Sequence, residues 1–381
     1  MTLPFNVAIT SLATSMYAVV LPVALGANIF LIYIIVVNKP YAKTTTNYLF
    51  ANLAAFNLLN VIFKMPYDLW YVYALNAWFG SAFGQISCRL LHLADGVSIA
   101  GSILSLIAIS LDQFYAILYP MKRLTVIQNK RLITCGMWTS SSVVMSPYLA
   151  MFGVKETTCH YNCIYLVRKG ILMEIHFSFM FVFFYALPLA WIAVMYILIG
   201  RKLWFRTVTG NIHSIHRKVA ELSKRRVVRM LIVVIATYAL CWLPVHVFQM
   251  CKAFEQQMTD HVASQPWSIM ASIAHANSAI NPCLLIALNK NFRKEFFKIW
   301  TRWRTTSLHR CRQTFLQERG HQGNVTIRGL GRIKSAEMIL DEIARKRGTL
   351  YDLRRENNIS KSSPVSLVRF TYTNKALLIK S

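Results

Sequence analysis

Acidic residues are scarce in this sequence: 15 aspartates and glutamates stand against 42 lysines and arginines, for a formal net charge of +27. Such a balance points first to nucleic acid. No basic segment, however, forms a soluble fold with stacking aromatics, so that class is set aside. Before residue 289 there is no polar stretch long enough for a soluble domain. There is no internal repeat, so an inverted-repeat transporter has no support. The polar segments hold no metal-ligand spacing and no nucleophile–base spacing, so neither an enzyme nor a metal or cofactor site is expected. No basic residue precedes the first apolar run. Residues 1–11 therefore read as a short outside tail rather than a cleaved signal peptide.

What the sequence does have is hydrocarbon: 55% of its residues are hydrophobic. Seven apolar runs fall at roughly 12–37, 47–74, 85–118, 129–150, 171–203, 222–250 and 262–287. About 20 apolar residues span a bilayer core of about 30 Å. The pattern predicts an all-α, seven-transmembrane helix bundle over 12–304, closed by a short amphipathic eighth helix. Residues 305–381 form a basic tail, rich in Arg, Ser and Thr and expected to be largely disordered.

Charge then gives orientation. The gaps after runs two, four and six carry only Lys155, Arg168, Lys169 and Lys252. The other gaps and the tail hold most of the remaining lysines and arginines. By the positive-inside rule that side is cytoplasmic and the N-terminus lies outside. In "NKNFRKEFFKIWTRW", Phe292, Phe296, Phe297 and Trp300 share one face and Arg293, Lys294 and Lys298 the other, which suits a helix lying in the headgroup layer of the lipid bilayer. Cys311, just beyond it, is either a lipidation site or a plain thiol. Cys88, Cys159, Cys163 and Cys251 fall near the outside, where disulfides persist.

Polar groups inside a bilayer are costly and mark function. Run three carries a stripe three or four residues apart: Asp95, Ser98, Ser102, Ser105, Ile109, Gln113. Run two carries Asn57, Asn60, Lys64 and Asp68, of which Lys64 and Asp68 are spaced to pair. Asp95 has no partner in its own run. It either pairs with Lys64 across the bundle or awaits a cationic ligand. Pro188, Pro244 and Pro282 sit mid-helix, where each removes a hydrogen bond and kinks the run.

Several motifs follow in order: "GAN" at 26–28, "NLAAFN" at 52–57, Cys88, Trp138, Pro188 with Tyr196, "CWLP" at 241–244 and "NPCLL" at 281–285. Together they resemble the rhodopsin-like (class A) G-protein-coupled receptors, and helix six is most similar to that of neuropeptide receptors. The resemblance covers 12 to about 304. It implies a plasma-membrane receptor for an extracellular, basic peptide, with an amine as the alternative ligand. Ligand contacts would fall on Asp95, Asp68, Trp242, His246, Gln249 and His275. Position 275 is neither the tyrosine of an amine cage nor the lysine of a retinal Schiff base. The switch to a heterotrimeric G protein would use Asp112, Gln113, Phe114, Tyr196, Pro244, Asn281, Pro282 and Leu285. Asn57, Ser102, Asn277 and Asn281 would be what remains of a sodium site. The family disulfide would join Cys88 to Cys163, or to Cys159. Tail serines such as Ser360, Ser362 and Ser363 would recruit an arrestin when phosphorylated.

The sequence departs from the family at three places. Asn57 replaces an aspartate, Gln113 replaces the arginine of "DQF", and Leu285 replaces the last tyrosine of "NPCLL". A non-signalling decoy or dimerisation partner is therefore the other function class these residues allow.

Overall fold

Each apolar run becomes a helix, because a backbone in hydrocarbon must satisfy its own hydrogen bonds. The computed structural model describes residues 7–37, 44–74, 77–119, 129–155, 157–161, 169–204, 212–254 and 260–320. Its helices are α1 (Val7–Val37), α2 (Thr45–Leu59, a π-helical turn Asn60–Lys64, then Met65–Ala74), α3 (Ala82–Leu118) and α4 (Lys130–Met145). They continue as α5 (Lys169–Phe181, a π-helical turn Val182–Ala186, then Leu187–Trp204), α6 (Ile212–Phe254), α7 (Asp260–Leu288) and α8 (Lys290–Gly320). Between α4 and α5 lies an antiparallel hairpin, β1 (Phe152–Lys155) and β2 (Thr158–Tyr161).

Six of these helices are long and apolar enough to cross a membrane. The fourth run gives a shorter one. α4 has 16 residues, starts on Lys130 and Arg131 and stops at Ser146, since Pro147 cannot continue its hydrogen-bond ladder. A single helical turn, Tyr148–Met151, completes that run. α3 is the axis of the bundle and packs on α2, α4, α5 and the hairpin, while α1 packs on α7 and α6 on α7.

The burial pattern fits lipid as solvent. Asn28, Asn57, Ser98, Ser105 and Asn281 are buried, whereas Ile29, Tyr33, Trp70, Val194 and Leu240 are exposed. Inside, Leu31, Phe50, Phe56, Ile103, Tyr238 and Leu285 belong to one core. The expected polar stripe of α3 points into it: Ser98 donates to the Phe56 carbonyl at 2.7 Å and Ser102 to Asn57 Oδ1 at 3.5 Å.

The two π-helical turns have one cause. Each precedes a proline, Pro66 or Pro188, which lacks an N–H and crowds the carbonyl four residues back. For Pro188 that carbonyl belongs to Phe184, and the Tyr238 hydroxyl of α6 donates to it at 3.1 Å. Tyr185 Oη in turn donates to the Ala239 carbonyl at 2.8 Å. The kink in α5 is thus stitched to α6.

Gly101 marks the closest approach of α3 to α2. A Cβ there would lie 2.2 Å from Phe56 Cε1, and Phe56 is fully buried and stacked on Trp138 with ring centroids 4.3 Å apart. Gly101→Ala is therefore expected to cost about 1–3 kcal/mol, the usual cost of overpacking. A fall in the thermal midpoint of the purified protein would measure it, and an unchanged midpoint would show that Phe56 can move.

The chain divides by contact into Met1–Trp300 and Thr301–Ser381. α8 is longer than the short helix expected, because no Pro or Gly interrupts it before Gly320. Its apolar face is shared out. Phe292 is buried against Phe50 and Phe296 packs on Phe30, while Phe297 and Trp300 are exposed. The side chain of Cys311, and Ser360, Ser362 and Ser363, lie outside the described residues.

Candidate ligand site and helix-end switch

Four helices meet around Lys64. On α2, the spacing of four residues places Lys64 Nζ 3.0 Å from Asp68 Oδ1. Residues four apart drift round a regular helix by roughly 40° per step. The wide turn Asn60–Lys64 offsets that drift, so Asn60, Lys64 and Asp68 all face inward and are buried. From α3, Asp95 Oδ2 approaches the same ammonium at 3.9 Å, and its Oδ1 accepts from Asn60 Nδ2 at 3.2 Å. From α7, His275 Nε2 lies 3.6 Å from Asp68 Oδ2, and its Nδ1 is 3.0 Å from the Tyr17 hydroxyl of α1. The Tyr67 ring flanks Lys64 at 4.9 Å. Asp95, Asp68 and His275, expected to act together, are thus brought together. Of the two roles open to Asp95, the pairing with Lys64 is present.

Trp242, His246 and Gln249 belong to a second set, on α6 beside Pro244. His246 is buried, with the rings of Tyr185 at 4.7 Å, Phe181 at 5.9 Å and Trp242 at 6.1 Å. Both His246 ring nitrogens and Trp242 Nε1 lack a hydrogen-bond partner among the described residues. Gln249 is half-buried one turn further on. An aromatic wall with unused N–H groups can hold a ligand's ring or amide.

Asn57, Ser102, Asn277 and Asn281 are all buried. Asn57 Nδ2 donates to Asn28 Oδ1 at 3.3 Å, and Asn28 Nδ2 donates to the Ser278 carbonyl at 2.8 Å. Amides therefore tie α1, α2 and α7 together where the family carries a carboxylate.

At the other end of α3, Gln113 Nε2 donates to Thr46 Oγ1 at 2.9 Å, and Thr46 Oγ1 donates to Asp112 Oδ2 at 2.5 Å. One threonine at the start of α2 holds both polar residues of "DQF". Lys202 of α5 donates to the Leu118 carbonyl at 2.6 Å and lies over the Tyr119 ring. Arg225 of α6 donates to the Leu203 carbonyl in the last turn of α5. Cations at a helix C-terminus complement its dipole. Phe114 packs against the core, while Tyr196 and Leu285 are buried within it.

The disulfide expectation needs correcting. Cys88 joins Cys159, not Cys163. The hairpin register decides this: Cys159 lies opposite Val154, and Gln85 of α3 clamps Val154 through both its amide atoms. Cys159 is thereby set over Cys88, and both are buried beside Trp78. Cys163 lies outside the described residues.

Sequence reasoning paired Lys64 with Asp68 but gave Lys64 no site role, and it missed Tyr17, Thr46, Lys202 and Arg225. Tyr17 and His275 are 258 positions apart, with no local pattern to join them. Thr46 reads locally as nothing more than the start of a helix.

A seven-helix bundle with an eighth helix, a hairpin tied to α3 and a charged cluster in its interior defines the class of seven-pass membrane receptors. The chain belongs to the 7 transmembrane receptor (rhodopsin family), whose family model matches residues 27–285. It is 28% identical over 309 residues to the substance-P receptor of Aquarana catesbeiana, covering 79% of this chain and 72% of that one. It is 28% identical to the allatostatin-A receptor of Bombyx mori, over 71% of this chain and 74% of that one. It is also 28% identical to the neuromedin-K receptor of Rattus norvegicus, over 85% and 73%.

Proposed function

We propose that this protein is a cell-surface receptor for a basic peptide. It lies in the plasma membrane with its N-terminus outside and signals through a shift of α6 to a heterotrimeric G protein. The observation that carries the ligand chemistry is the interior cluster: two carboxylates, Asp68 and Asp95, share one lysine, so with a neutral His275 one negative charge is left over. A basic ligand group neutralises it. The relatives named for peptides support the ligand class. The aromatic wall around His246 would take an uncharged part of the same ligand.

Only a ligand that binds the two arrangements of α6 unequally can drive the shift. Pro244 supplies the hinge. The basic residues in the gaps support the orientation, α8 lies on lipid, and the tail serines serve an arrestin. No step calls for catalysis, a cofactor or nucleic acid.

A panel of basic, neutral and acidic peptides on cells carrying a promiscuous G protein tests this reading. Asp95→Asn is expected to weaken a basic agonist about tenfold, or roughly 1.4 kcal/mol, and to spare a neutral analogue. Equal potency on both proteins would remove Asp95 from the site.

A non-signalling decoy is the second reading, and two observations favour it. Gln113 is turned to Thr46, and Leu285 places hydrocarbon where the family has a hydroxyl. Ligand binding without any G-protein response in the same panel would select it.

A further inference from the structure

Lys64 already fills the place a ligand cation would take. A lysine serving only Asp68 would need nothing beyond its 3.0 Å contact, four residues along the same helix. Yet the ammonium also stands 3.9 Å from Asp95. The two contacts are unequal. The first is within hydrogen-bonding range and the second is too long for a hydrogen bond. The carboxylates differ as well: the Asp95 side chain is 17% exposed and that of Asp68 only 5%. Asp68 has a second neighbour in His275, itself held by Tyr17, whereas the other support of Asp95 is the Asn60 amide.

We propose that Lys64 is a resident competitor in the ligand site. In the unliganded receptor it holds Asp95 loosely. An incoming ammonium or guanidinium group takes Asp95, and Lys64 retires to Asp68 on its flexible four-carbon stem. Each carboxylate then has its own cation, so the exchange buries no unpaired charge. A neutral ligand cannot displace Lys64 without leaving Asp95 unpaired. An anionic ligand meets a cluster that is already negative. Lys64 thereby sets both the charge a ligand must carry and the affinity it must exceed.

This deepens the basic-ligand reading and rests on it. The test is nevertheless independent of the ligand's identity. The probe is ethylammonium chloride against sodium chloride at equal ionic strength, and the readout is the thermal midpoint of the purified full-length receptor. Lys64→Ala opens room for the probe and removes the competitor. At 100 mM, its midpoint is expected to rise by about 3 °C, as binding to the folded state predicts for a weak ligand, while the unsubstituted protein stays within about 1 °C. The rise should vanish in Lys64→Ala/Asp95→Asn and persist in Lys64→Ala/Asp68→Asn. Should Lys64→Ala not fold, Lys64→Gln keeps most of the length, loses the charge and is expected to show the same rise. An equal rise in the unsubstituted protein, a rise that depends on Asp68 alone, or none in any variant overturns the proposal. If the rise follows Asp95 but no basic peptide binds the receptor, the resident cation stands and the peptide reading falls.

Discussion

Replacing Cys159 with serine is expected to remove most of the receptor from the surface of expressing cells, and replacing Cys163 with serine is expected to leave it there. The Cys88–Cys159 bond closes a loop with a sequence separation of 71. Chain-entropy arguments give a loop of that length about 4 kcal/mol. The local packing adds to this. Cys88 and Cys159 are almost fully buried in a small apolar cluster with Val154, Trp78 and Phe152. A serine at 159 would place a hydroxyl there and leave the Cys88 thiol facing it. The hairpin would also lose its tether, and with it the stack of Phe152 on His92, whose ring centroids are 3.8 Å apart. Cys88→Ser should match Cys159→Ser, and the double variant should cost little more than either, because one bond is lost in all three. Antibody staining of intact cells measures this directly. Loss of surface protein in Cys163→Ser but not in Cys159→Ser would reverse the pairing.

The choice between those two cysteines shows where a sequence stops being informative. Both lie in "TTCHYNCIY", four residues apart, and the family resemblance pointed first to Cys163. What separates them is a strand register clamped by a glutamine on another helix. The helices themselves were readable because lipid imposes length and composition on every span. The fourth was the exception, since its serines and Pro147 make it shorter than the run suggested. The Lys64–Asp68 pair was readable because a helix brings residues four apart together. The approach of Asp95 to Lys64 was one of two alternatives the sequence left open, and the Tyr17–His275 contact had no signal at all, since both depend on how four helices pack. Pro188 signalled a kink in α5, but the π-helical turn before Pro66, and its effect on which residues face inward, needed the structure.

Replacing Thr46 with valine is expected to loosen the Gln113 end of α3 by about tenfold or more in the equilibrium between closed and open arrangements. Valine keeps the shape of threonine and deletes the hydroxyl. That hydroxyl makes two bonds, one donated to the Asp112 carboxylate and one accepted from the Gln113 amide. A hydrogen bond to a charged group contributes about 1.5–3 kcal/mol and a neutral one about 0.5–1.5. Asp112 keeps a further contact of its own, so the lower half of that range applies. Gln113→Leu removes only the neutral bond and should have a several-fold smaller effect. The order Thr46→Val above Gln113→Leu is what distinguishes a threonine-centred hold from a glutamine-centred one. Gln113→Arg tests the same hold from the other side. An arginine can take the Asp112 carboxylate directly through its planar fork. It should therefore restore in Thr46→Val most of what the valine removed. Ligand-independent activation of a promiscuous G protein, normalised to surface receptor number, reads all four combinations. Should Gln113→Leu exceed Thr46→Val, the hold belongs to the glutamine. Should no combination move the baseline while a basic ligand still binds, even with the charge restored in Gln113→Arg, the decoy reading is the correct one.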